Sequence, residues 1–129
     1  MELLLPGRAR VTCLSRNNDH ERTTVECEVA DLDSMVVDSL ISSVRISEPP
    51  RCCVILRASL LGPDCPNRDL VLPSSQEIVH NSMTYRAVEI QDVELDRDFD
   101  SEWYRLSFTR PGLLLVNNVR LSVVLNSIL

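Results

Sequence analysis

With 129 residues, 44% of them apolar, the chain has material for one domain around one sizeable core, a globular composition and not a disordered one. Its net charge of -6 sets 19 acids against 13 bases, all of them arginine, and the arginines never form a run. That balance argues against sequence-independent nucleic-acid binding and against anionic membrane surfaces, and no apolar run reaches the length of a membrane span.

The opening MELLLPGRAR has three leucines before Pro6 and Gly7, and its first charge is acidic, which is not the plan of a secretory signal. Arg8 to Arg16 and Thr23 to Ala30 flank the polar run Asn17 to Arg22 and predict a hairpin. With Val11 opposite Cys27, Arg10 falls opposite Glu28 and Thr12 opposite Glu26. That register gives one apolar face and one face of paired opposite charges. Met35 to Ser47 carries a helical stripe (Val36, Val37, Leu40, Ile41, Val44) and a strand-like end (Val44, Ile46). The strand is the favoured reading, and Pro49 and Pro50 must close it.

Cys52 to Leu61 reads as one buried strand and Gly62 to Asn67 as a rigid loop. Asp69 to Leu72 is a short strand stopped by Pro73, and Ser74 to Glu77 is a turn. Ile78 to Leu95 reads as one long strand or as two with a break at Asn81-Ser82. Trp103 to Thr109 alternates Tyr104, Leu106 and Phe108 with Arg105, Ser107 and Thr109. Pro111-Gly112 suits a turn that needs positive φ at the glycine. Leu113 to Val116 and Val119 to Leu125 surround Asn117-Asn118, a pair suited to a two-residue hairpin turn.

Eight or nine short strands and at most one short helix predict an all-β fold, a single antiparallel β-sandwich or jelly-roll-like domain over 1–129. Such an architecture invites comparison with viral capsid folds and with dUTPase-like folds borrowed by viral accessory proteins. The glycine-rich active-site motifs of a dUTPase and the basic arm of a capsid protein are both absent, and fold analogy carries no function.

The sharpest pattern lies between Asp92 and Glu102, where Asp92, Glu94, Asp96, Asp98, Asp100 and Glu102 alternate with Val93, Leu95, Arg97, Phe99, Ser101 and Trp103. At strand period the six carboxylates share one face, about 6.6 Å apart, with Val93, Leu95, Phe99 and Trp103 behind them. Two readings stand: a solvated edge whose charges discourage stacking, or a docking face for a basic protein partner. A calcium loop needs glycine at its sixth position and glutamate at its twelfth, and no starting residue here supplies both.

Five cysteines, an odd number without a secretion signal, read as reduced thiols in the cytoplasm or nucleus. No pair has the two-residue spacing of a structural zinc site, so neither metal nor cofactor is expected. Cys13 and Cys27 should point inward, and Cys52 and Cys53 must face opposite sides of a strand. His20 and His80 lie near no nucleophile motif, and no glycine-rich phosphate loop occurs.

The reading that follows is a non-enzymatic interaction or assembly module, of the kind found among viral accessory and structural proteins. Asp92, Glu94, Asp96, Asp98, Asp100, Glu102 and Trp103 would meet a basic partner. Homo-oligomerisation would use Val119, Leu121, Val123 and Leu125 as a strand edge. The alternative is a small hydrolase or nucleotide-binding protein with a non-local site such as His80, Cys52 and Asp64. Absence of lysine has two open readings, arginine-rich codon usage or a chain that offers no amine to ubiquitin. The tail Asn126-Ser127-Ile128-Leu129 matches the loose pattern of a groove-captured carboxy-terminus.

Overall fold

The computed structural model describes residues 2–16, 22–34, 40–90 and 102–123. Its strands follow the apolar runs: β1 (Glu2–Pro6), β2 (Arg10–Arg16), β3 (Arg22–Glu28), β4 (Leu40–Ile46), β5 (Cys53–Leu56), β6 (Leu70–Pro73), β7 (Glu77–His80), β8 (Met83–Arg86), β9 (Trp103–Phe108), β10 (Gly112–Val116) and β11 (Val119–Val123). A 3-10 helix, Val29–Ser34, follows β3, and a four-residue helix, α1 (Ala87–Ile90), follows β8. The fold is all-β, antiparallel and sandwich-like, as the alternating pattern predicts.

The first hairpin adopts the register that charge pairing implies, with Arg10 opposite Glu28, Val11 opposite Cys27 and Thr12 opposite Glu26. Its polar connection, 17–21, lies outside the described residues. From this hairpin the largest sheet grows in the order β3-β2-β10-β11-β7-β8, while β1-β9-β4 and β5-β6 form two smaller sheets. Asn117 and Asn118 make the β10–β11 turn with φ of 46° and 66°, and Asn81 and Ser82 make the β7–β8 turn with 50° and 64°. Both are left-handed pairs, the twist that two-residue hairpins require.

One core draws on all three sheets. Leu3 and Leu5 of β1, Leu106 and Phe108 of β9, Leu70 and Leu72 of β6, and Val119, Leu121 and Val123 of β11 all contribute, joined by Val29 and Leu32 of the 3-10 helix. It is aliphatic, as two phenylalanines in the chain require. A second, smaller cluster sits behind Trp103, where Ile55 and Val71 are buried with it and Leu4, Ile46 and Cys53 pack around. The alternate residues of β5 and β6 therefore serve two cores, Val54 and Leu56 facing one and Ile55 the other. A strand buried on both faces reads as a continuous apolar run, which is why Cys53 to Leu56 shows no alternation.

The structure departs from the sequence reading at three elements. The strand expected from Cys52 to Leu61 stops at Leu56, because Asp69 Oδ1 accepts from Ala58 N at 2.8 Å and Leu60 N donates back to Arg57 O at 3.1 Å, which turns the chain. The strand expected through Leu95 gives way to α1, where Ala87 N donates to Gln76 O at 2.9 Å and Val88 N to Ser74 O at 3.0 Å. Gly112 does not take positive φ but opens β10 as extended backbone opposite Val123.

Candidate functional site

Asp92, Glu94, Asp96, Asp98 and Asp100 lie outside the described residues, and so do Leu125 and the tail from Asn126 to Leu129. The acidic run enters the described structure at its last member. Glu102 is exposed and bound from three directions. Its backbone carbonyl accepts from Gly7 N at 2.7 Å, Oε1 lies 3.2 Å from Arg45 Nη2, and Oε2 accepts from the Tyr104 hydroxyl at 3.3 Å. The approach is close: a Cβ at Gly7 would stand 2.9 Å from the Tyr104 ring, which leaves glycine as the residue that fits. Trp103 is 2% exposed and belongs to the second core, so it stands behind the surface and is not available to touch a partner.

Arg45 connects Glu102 to β4, an outer strand of the three-stranded sheet. β4 pairs with β9 alone, and among the described residues no strand covers its other side. Its side chains are unusual for an edge. Ile41 is 64% exposed and Val44 55% exposed, while Ser43 faces inward opposite Leu106. Ile41 occupies a register shift between Leu40 and Ser42, after which pairing runs without interruption from Ser42 to Ile46. A bulge twists an edge and limits open-ended stacking, but a straight stretch of five residues remains. Sequence reading missed Ile41 and Val44, although the apolar residues on both faces of β4 that obscured its assignment were the signal.

The oligomer edge read from the final hairpin is corrected by the sheet order. β11 lies between β10 and β7, and Val119, Leu121 and Val123 point into the core at 1%, 0% and 3% exposure. Alternating β-branched residues identify a strand but not whether it lies inside a sheet or at its rim.

The thiols are structural in their surroundings. Cys27 and Cys65 pack against the main core and Cys53 against the second, while Cys52 is exposed, so the adjacent pair does face opposite sides. Burial pushes the thiols of Cys27, Cys53 and Cys65 above the ordinary value, which opposes thiolate formation. Among the described residues no three of His, Cys, Asp and Glu gather closely enough to hold a metal ion. No described helix is long and apolar enough to cross a membrane.

Among the described residues, two surface clefts can be delineated. One, of about 300 Å³, lies where Glu2, Leu4 and Arg105 face Pro73, Gln76 and Glu77. Its charges are internally matched, with Arg105 Nε 3.6 Å from Glu2 Oε2 and Gln76 Nε2 donating to the Glu77 and Ser122 carbonyls. The other, of about 390 Å³, lies between the two left-handed turns, beside His80 and Arg120. Compared with family models, curated proteins and solved structures, the chain matches none.

Proposed function

We propose that the protein is a non-enzymatic interaction module that receives an extended, basic segment of a protein partner along β4. The observation that carries this reading is an edge strand that no described strand covers, with two large aliphatic side chains exposed, Ile41 at 64% and Val44 at 55%. Main-chain groups along such an edge supply affinity to an added strand, and pockets for its alternate side chains supply selectivity. Charge gives the partner its sign. Glu102 stands beside β4 through Arg45, and five further acids precede it in the sequence between Asp92 and Asp100, a charge that favours arginine or lysine in the incoming segment. Contacts of this kind govern association rate and salt dependence more than final affinity.

The test uses an eight-residue synthetic peptide alternating valine and arginine, with the amide exchange of Ser42 to Ile46 as readout. Expected are slowed exchange in β4, weaker binding at high salt, and loss of both effects in Val44→Lys, a change at an exposed site that leaves the core intact. Unaltered exchange at millimolar peptide overturns the proposal. So does binding that Val44→Lys leaves untouched. A doubled mass by light scattering without peptide, abolished by Val44→Lys, reassigns the edge to a second copy of this chain.

A further inference from the structure

The cleft between the β7–β8 and β10–β11 turns differs in charge from the rest of this acidic chain. Arg120 projects from β11 on the outer face of the large sheet, directly opposite Val79 on one side and Leu115 on the other. Five described arginines are committed to a carboxylate: Arg10 to Glu26, Arg45 to Glu102, Arg57 to Asp69, Arg86 to Glu89 and Arg105 to Glu2. Arg120 has no such partner among the described residues, and it is exposed.

The remaining lining is made of donors without charge opposition. His80 ends β7, Asn81 and Ser82 form the adjoining turn, and Asn118 closes the other side, its amide held to the Asp64 carbonyl at 2.7 Å. No described carboxylate lines the cleft, although the chain carries 19 acids. Val79 and Leu115, flanking Arg120, supply an apolar floor. A volume of about 390 Å³ falls within the range of small-molecule sites. A guanidinium offers a planar fork that fits an oxyanion in two-point contact, and a local positive field can oppose the sign of the whole molecule.

We infer that this cleft binds a small organic oxyanion, a phosphate monoester or a carboxylate of an apolar body, with Arg120 holding the anion and Val79 and Leu115 seating the body. The site lies on the large sheet and not on β4, so it stands or falls independently of the edge-strand reading.

The probes are inorganic phosphate and phenyl phosphate, titrated into the full chain with the His80 imidazole and Arg120 guanidinium followed by NMR. Saturable shifts confined to the two turns are expected, with phenyl phosphate binding more tightly than phosphate. Arg120→Gln should weaken phenyl phosphate by about tenfold or more, the worth of one charge-assisted contact. The amides of Ile78 and Leu121 serve as the control for folding and should not move. Absence of saturation by either probe overturns the inference, as does equal affinity in Arg120→Gln. Adhesion to vesicles of anionic lipid without any response to the free phosphates overturns the small-molecule assignment.

Discussion

Asn117 concentrates more of the fold's polar bonding than any local pattern suggests. It is 3% exposed, its N–H donates to Arg10 O at 2.8 Å, its Oδ1 accepts from Arg10 N at 2.8 Å, its carbonyl accepts from Asn67 N at 3.0 Å and its Nδ2 donates to Asp69 O at 3.3 Å. All this is held at a φ of 46°, where asparagine is tolerated better than most residues. Asn117→Ala should cost about 2–4 kcal/mol, from orphaned buried partners and a strained backbone together. Asn117→Gly keeps the backbone and loses only the side chain, so urea unfolding of the two variants separates the terms. Equal losses would assign the whole effect to the side chain.

A second prediction at the residue scale concerns acid. Asp69 accepts from Ala58 N at 2.8 Å and from Arg57 Nη1 at 3.0 Å, and the backbone bond first, then the guanidinium, hold its carboxyl below the ordinary value. A depressed carboxyl contributes stability that is complete above its unfolded value, about 3.9, and is lost as pH falls through the folded one. Its side chain is half exposed, so the contribution is small and screened by salt. Asp69→Asn should flatten the acid limb of a stability profile below about pH 4. An unaltered limb would show that the Arg57 and Ala58 contacts do not persist in solution.

At the level of elements, two tight hairpins build much of the large sheet, β10–β11 at its centre and β7–β8 at one end. Ser82 occupies a left-handed position at φ 64°, which costs an L-residue about 1 kcal/mol or more that glycine avoids. Ser82→Gly should therefore raise stability by about 0.5–1 kcal/mol, an upward shift of the thermal midpoint, against the usual loss for glycine in regular structure. A lowered midpoint would mean that the Ser82 hydroxyl holds the turn.

The first and last hairpins were legible because their information is local, paired charges at Arg10, Glu26 and Glu28 in one and Asn117-Asn118 in the other, while a break at Asn81-Ser82 was one of two readings. The 3-10 helix and α1 were not, since α1 forms where Gln76 and Ser74 carbonyls receive Ala87 and Val88, a tertiary arrangement with no local signal. The candidate site divides in the same way. Sequence reading put weight on acids that announce themselves by period, whereas β4 became an edge through pairing with a strand some sixty residues later, and Arg120 met His80 through the β11–β7 register.

For the whole molecule, charge and edge exposure oppose each other. A net charge of -6 makes copies repel at neutral pH, while β4 exposes Ile41, Val44 and a row of main-chain groups that no described strand pairs. Repulsion of this kind disappears near the isoelectric point, about 4.8, and leaves this exposed edge free to pair. Turbidity should therefore rise as pH approaches that value and fall again below it. Val44→Lys acts twice in this regime, adding a charge and removing the exposed aliphatic face that stacking would bury. It should shift the turbidity maximum slightly upward in pH and reduce its height markedly. A reduced height would place the contact at β4. The same shift with the height unchanged would mean that net charge alone governs association, and the edge would then be guarded by the Ile41 bulge as effectively as by any charge.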